Sequence, residues 1–475
     1  MMAMAVMMTM AKMTMAKPVV PVMAVASTVP AMPTVTVTSS EGLTGDSQRS
    51  SGQCQSRDCG GNDRLGLRHG RLLLGWAERE SLCDESPLEA LAGTRCDEGH
   101  ASWRGHPIGM ARGVRYLPHA WRDYLLNLAW PDSTRYSQGY HMQIGELFIL
   151  GFFGKTVPVW LKQFAARYGL GGAILFDYSC RTQAYDNNIE SPEQVQRLCA
   201  EIAALPSNPM VFIDQEGGLV RRLKESRGFA PLPSAKEFNH LAPDRKRAIL
   251  TASFAEMRRL GIHYDFAPVV DVDYNPDNPN IGRIKRSFSA DIAEVEANAL
   301  LASEVARAER IGLCLKHFPG IGGAVVDSHQ EFMDISDAFV PEQEELFYSL
   351  APKMFGDAVL VSHAIVRQWD TDRPMTLSAA GLGRLRKRLP DTLLITDDMQ
   401  MQGLQKALGT REASLQSMKA GMDMLCIGNN LFDQEQEMAA IAQYVEQSLR
   451  DTTLSGLAIE KSIARVGRRK ALLTA

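Results

Sequence analysis

The stretch "GLCLKHFPGIGGAVVDSH", Gly312–His329, begins as an apolar run and ends as a loop of polar groups and glycines. Its first residues, Gly312–Leu315, are apolar on both faces, which is what a strand buried inside a parallel sheet requires. After them come Lys316, His317, Asp327 and His329, interspersed with Gly320, Gly322 and Gly323. A buried strand that ends in so much polar chain reads as one that opens onto a site. Glycine's permissive backbone would let such a loop swing over a ligand.

The same pattern recurs along the chain. "ELFILGFFG" (146–154), "GGAILFDYS" (171–179), "PMVFIDQEGG" (209–218) and "YDFAPVVDVD" (264–273) precede it. "AVLVSHAIV" (358–366), "TLLITDDMQ" (392–400) and "MDMLCIGNN" (422–430) follow, making eight runs in all. Helical patterns lie between them. In "SPEQVQRLCAEIAAL", Ser191 is an N-cap, Pro192 a first-turn proline, and Gln194 completes a capping box. Val195, Leu198, Cys199, Ile202 and Leu205 then follow helical spacing. Another helix is expected to end at Gly261. Eight strands alternating with helices predict an α/β fold, a (β/α)8 TIM-type barrel over residues 141–475. In that fold the loops at the carboxyl ends of the strands build the site. Asp214, Lys316, His317, His363, Asp397 and Asp398 all sit at such ends. Charges collected at one rim point to an enzyme.

Residues 1–135 read differently and are expected to form an N-terminal extension of low structural order, or to follow from a start site set too early. Ten of the 23 methionines fall within residues 1–32, and no strand or helix period is sustained. Lys12, Lys17 and the Ala24-Val25-Ala26 stretch offer an alternative: a signal peptide over residues 1–26 and export. Pro18 and Pro21 interrupt its apolar core, and four of the six tryptophans precede residue 131. The eight cysteines form no disulfide framework and no paired zinc spacing, so a cytoplasmic location is expected. A net charge of −4 supplies no basic field for nucleic acid or an anionic membrane. No apolar run reaches the roughly 18–20 residues of a membrane span.

Several chemistries suit the rim. The first carboxylate after a barrel strand points near the axis and the second turns away, so Asp397 is the better nucleophile candidate of its pair. The alternative is a loop-capping aspartate. Asp327, two residues before His329, would orient the ring and raise its proton affinity, giving a general acid that later serves as base. Alone, that segment reads equally as a surface loop. Asp214, Arg286, Lys316 and His317 are directional partners of the kind sugar hydroxyls need, or ordinary ion-pair members. A zinc site from His317, His329, His363 and Asp397 is the sharpest rival. No HxH or HExxH spacing supports it, and Lys316 beside His317 would repel a cation. A Schiff-base role for Lys316 is a further alternative. No metal and no cofactor is expected.

In combination, "KHFPG" with "DSH", "IDQEGGLVRRL", "FAPVVDV", "NPDNPNIG…RSFS" and "ITDDMQM" resemble the glycoside hydrolase family 3 β-N-acetylglucosaminidases. "MQIGELFILGF" and "AGMDMLCIG" look like that family's first and last strand regions, and residues 141–475 are covered. The resemblance implies retaining hydrolysis of terminal β-linked N-acetylglucosamine, as in peptidoglycan recycling. Asp397 matches the nucleophile and His329, backed by Asp327, the acid/base. Asp214, Arg286, Lys316 and His317 match positions that bind sugar hydroxyls and the N-acetyl group, and His363 a further rim residue. The implied partner is a small carbohydrate, muropeptide fragments included, and a monomer is expected.

Two features depart from the pattern. Ile321 stands where the family has histidine, and "IGRIKRSFS" carries two extra residues before "RSF". The loop before Arg286 is therefore expected to reach further over the pocket. The larger family members carry a second α/β domain, for which the chain leaves no room after its last apolar run. That, with the intact "DSH", favours the N-acetylhexosaminidase branch. Phosphorolysis of the same linkage and a non-catalytic sugar-binding barrel are the alternatives.

Overall fold

Each of the eight apolar runs contains a strand in the computed structural model, which describes residues 142–325 and 332–474. The extension expected over residues 1–135 and the signal-peptide alternative lie outside these residues. The strands are β1 (Phe148–Leu150), β2 (Gly172–Leu175), β3 (Met210–Ile213) and β4 (Tyr264–Asp265), then β5 (Gly312–Phe318), β6 (Ala358–Val361), β7 (Leu393–Thr396) and β8 (Leu425–Ile427). All pair in parallel with their sequence neighbours from β1 to β7, and β8 returns to β1 through Phe148–Leu425, Ile149–Cys426 and Leu150–Ile427. Between β7 and β8 the ladder shortens to the Ile395–Met424 bridge, flanked by bonds such as Met399 N to Cys426 O at 2.9 Å, so the barrel is nearly closed.

One long helix follows each strand. They are α1 (Val159–Tyr168), α2 (Pro192–Ala203), α3 (Pro243–Leu260) and α4 (Ile292–Glu309), then α5 (Pro341–Leu350), α6 (Ala379–Arg388), α7 (Gly409–Ala420) and α8 (Met438–Arg450), with α9 (Gly456–Leu473) completing the chain. Such alternation lets each helix bury its apolar stripe on a sheet whose other face fills the barrel. In α2, Val195, Leu198, Cys199 and Ile202 form that stripe and are all buried. The Ser191 hydroxyl accepts from Gln194 N at 3.3 Å, as expected of an N-cap. The box closes one residue early, because the Gln194 side chain takes the Glu190 amide at 2.9 Å. Leu205 is buried but lies beyond the helix end. Helix α3 ends on Gly261 at φ 85°, the left-handed cap that glycine adopts without penalty. Among the described residues no helix is long and apolar enough to cross a membrane.

The barrel interior is packed rather than hollow. Phe212 of β3 stacks on Tyr264 of β4 with centroids 5.1 Å apart, and the Tyr264 hydroxyl donates to Gly356 O at 2.6 Å. Cys199, Cys314 and Cys426 are buried and behave as small hydrophobes. Where β8 meets β1, the two backbones approach so closely that a Cβ on Gly151 would sit 1.8 Å from Gly428 O. Gly151→Ala should therefore cost about 1–3 kcal/mol through backbone displacement at this seam. Denaturant unfolding measures it, and an unchanged midpoint would show that the seam yields freely.

Candidate active site

The polar groups at the strand ends converge because β3, β5 and β7 all open on the same face of the barrel. Asp214 follows β3 directly. The chain then doubles back as a short hairpin, Gln215–Gly217 against Val220–Arg221. Gln215 fixes the return: its Oε1 accepts from the amides of Arg222 (2.9 Å) and Leu223 (3.0 Å). This brings Arg222 to within 3.0 Å of Asp214 and places its guanidinium 5.2 Å from the Phe176 ring centroid. Glu216, in the same hairpin, turns toward β5.

There the Lys316 side chain, 3% exposed, lies 2.8 Å from Asp214 and 2.6 Å from Glu216. Glu216 also receives a two-pronged bond from Arg286, at 2.7 and 2.8 Å. Burial alone would raise both carboxylic acids. The charges of Lys316 and Arg222 outweigh it and hold Asp214 well below the usual range. Arg286 and Lys316 do the same for Glu216, lowered to about 2. Burial acts to discharge Lys316, but Asp214 and Glu216 overcome that and raise its pKa. Lys316 is therefore a fixed cation, and its expected rival role as a Schiff-base amine has no neutral amine to start from.

His317 is equally committed. Arg286 Nη2 lies 3.0 Å from its Nε2, and an arginine can only donate, so Nε2 accepts. The proton is then on Nδ1, which donates to Asp271 Oδ2 at 2.6 Å. Asp271 is fully buried and also accepts from the amides of His317 (3.1 Å) and Ile321 (2.7 Å). It thus pins the start of the glycine-rich loop. The glycines there serve close approach rather than free swinging: a Cβ on Gly322 would meet Val272 O at 1.9 Å, and Gly320 sits at φ 114° against Gln343. Asp327 and His329 lie outside the described residues.

Asp397 and Asp398 follow β7. The Asp397 amide donates to Val361 O at 2.9 Å, extending the β6–β7 ladder, and its Oδ1 accepts from the Asp398 amide at 2.9 Å. Asp398 accepts from Gln400 N at 2.9 Å. Burial, with the charges of Asp397 and Asp214, pushes it up to about 7 against that bond.

These groups line one cavity of about 360 Å³, within the usual range of small-molecule sites. Asp214, Arg286, Lys316, His317 and Asp397 are in its wall, as are Asp398, Ile321 and Ile284. His363 is not; it lies behind the wall with both ring nitrogens engaged. With His317 also bonded at both ring nitrogens, neither described histidine of the zinc alternative has a ring nitrogen free for a metal. Among the described residues no group of three or more His, Cys, Asp and Glu is arranged to hold a metal. A larger depression of about 720 Å³ lies outside the hairpin, between Leu232, Leu241 and Ile249, and contains none of the rim carboxylates named above. Sequence reading missed Glu216, Asp271 and Arg222 as site members. Glu216 and Asp271 stand within the "DQEGG" and "PVVDV" strings, but their partners are remote in sequence.

Residues 144–468 match the model of the glycosyl hydrolase family 3 N terminal domain. The chain is similar to a beta-hexosaminidase of Mycobacterium tuberculosis, LpqI, at 32% identity over 282 residues, covering 55% of this chain and 67% of that protein. A beta-hexosaminidase of Methylococcus capsulatus is 30% identical over 278 residues, covering 56% and 78%. In three dimensions it resembles a family 3 beta-N-acetylglucosaminidase from Paenibacillus with a TM-score of 0.63 and 24% identity. That match covers 70% of this chain and 62% of the Paenibacillus chain, and it speaks for the fold.

Glu216→Ala should destabilise the protein by about 3–5 kcal/mol, because it strips buried Lys316 and Arg286 of a shared partner. The stabilisation from a depressed carboxylate is complete above its ordinary value of 4.5 and is lost as pH falls toward 2. Denaturant melts from pH 5 to 2 should therefore fall more steeply in the native protein than in Glu216→Gln. Parallel curves would mean that Glu216 is not held in its charged form.

Proposed function

This chain belongs to glycosyl hydrolase family 3, and we propose that it hydrolyses terminal, non-reducing β-linked N-acetylglucosamine with retention of configuration. The observation that carries the reading is Asp397: a carboxylate at the end of a barrel strand, in the wall of a cavity where Asp214, Glu216, Arg286 and Lys316 are already fixed by buried ion pairs. The beta-hexosaminidase relatives support the substrate class.

In this account the sugar occupies the cavity. Asp214, Arg286, Lys316 and His317 position it through groups that are oriented before it arrives, which spares reorganisation at the moment of reaction. Asp397 attacks C1 while the bond from C1 to the leaving oxygen breaks, and His329, oriented by Asp327, gives that oxygen its proton. A glycosyl ester on Asp397 results. Water then attacks C1, His329 takes a proton from it, and the ester bond breaks to return the Asp397 carboxylate. Two displacements give net retention. The proposal extends to a cytoplasmic, monomeric enzyme acting on muropeptide fragments in peptidoglycan recycling.

The direct test is release of p-nitrophenol from its β-N-acetylglucosaminide and its β-glucoside, with and without phosphate. Phosphate-independent turnover of the N-acetyl substrate alone is expected. Phosphate-dependent turnover would assign phosphorolysis instead. Asp397→Asn should abolish turnover and leave the fold intact, so near-normal activity would remove Asp397 as nucleophile. His329→Ala should slow hydrolysis least for substrates whose leaving groups need no proton. Equal slowing of both kinds would contradict the acid role.

A further inference from the structure

His363 presents no free hydrogen-bonding group to a sugar. It is 6% exposed, outside the cavity wall, and held at both ring nitrogens. Its Nε2 lies 3.0 Å from the backbone oxygen of Asp398. A carbonyl oxygen only accepts, so Nε2 carries the hydrogen. Nδ1 lies 2.7 Å from the hydroxyl of Thr376, which is fully buried and donates to it. Burial favours the neutral ring over the opposing pull of the Asp397 charge, and a neutral ring has one hydrogen to place. The two partners therefore select a single tautomer. Thr376 is itself tied to the loop after β6, since the neighbouring Met375 amide donates to Ala364 O at 2.8 Å.

We propose that His363 is a positioning residue for Asp397, acting through the backbone of Asp398. The turn after β7 is held at successive points. The Asp397 amide is on Val361 O, the Asp398 amide is on the Asp397 carboxylate, and the Asp398 carbonyl is on His363. The same carbonyl also accepts from the Met401 amide at 3.0 Å, so loss of the histidine leaves it one of two donors and frees the turn from the loop after β6. Freed on that side, the Asp398 backbone can shift, and with it the Asp398 amide that orients the Asp397 carboxylate. The histidine thus sets the aim of the attacking oxygen without touching the substrate. The inference rests on the reading of Asp397 as nucleophile.

The test compares His363→Phe, which keeps the ring shape and removes the donor, with His363→Gln, whose Nε2 can reach the same carbonyl. In the full chain, His363→Phe should lower kcat about 100-fold, the scale expected for misaligned reacting groups. KM and the inhibition constant of free N-acetylglucosamine should change less than about threefold, because the binding groups are untouched. His363→Gln should recover most of the lost kcat. Should the phenylalanine variant fail to fold, Thr376→Val against Thr376→Ser asks the same question one bond further out, with kcat lost only in the valine variant. A raised KM and weakened inhibitor binding at unchanged kcat would make His363 a sugar contact and overturn the inference. So would equal loss in the folded phenylalanine and glutamine variants. A native chain that binds N-acetylglucosamine but turns nothing over would instead remove the hydrolase reading, and this inference with it.

Discussion

Lys316 is the constraint on which the rest of the site depends. Its ammonium is enclosed at the end of β5, where an unpaired charge would cost several kcal/mol even after relaxation. Asp214 and Glu216 must therefore stand where they do, and the hairpin after β3 exists in a form that delivers both. Glu216 then fixes Arg286, Arg286 fixes the tautomer of His317, His317 is shared with Asp271, and Asp271 pins the loop at Ile321. One buried cation organises the loops after three consecutive strands before any ligand enters. A site preorganised in this way can spend ligand contacts on the transition state rather than on ordering itself.

The order and number of barrel strands were legible because buried parallel strands leave continuous apolar runs, and all eight runs hold one. The rim was legible for the same reason: a charge directly after such a run has nowhere to go but the barrel mouth. Asp214, Lys316, His317 and Asp397 were found that way and line one cavity. Glu216 and Asp271 were not, because each is defined by a partner far along the chain: Arg286 is 70 residues from Glu216, and His317 is 46 from Asp271. His363 lies just after β6 as its run suggested but outside the cavity wall, because the direction of its side chain depends on Thr376 and the Asp398 carbonyl. Local pattern carries neither. The glycines of the "PGIGG" stretch suggested a hinge; in the fold Gly322 is required by the close Val272 backbone and Gly320 by its φ of 114° beside the Gln343 side chain.

Two departures from the family pattern fall in the cavity wall. Ile321 contributes an apolar side chain there, while its backbone is fixed from both sides: its amide by Asp271 and its oxygen by Asn278 at 2.6 Å. The loss of a polar group at this position therefore changes the surface offered to a ligand without loosening the loop. Ile284, in the loop before Arg286, lines both this cavity and the outer depression.

The account turns on a covalent bond to Asp397, and the most direct measurement is to trap it. The full-length protein would be incubated with a fluorinated N-acetylglucosaminyl fluoride that forms the glycosyl-enzyme quickly and releases it slowly, then digested and examined by mass spectrometry. The account predicts one added sugar on the peptide containing Asp397, with fragmentation assigning it to that residue. A label on Asp398 would contradict it, as would steady turnover of the reagent with no protein-bound sugar at any time.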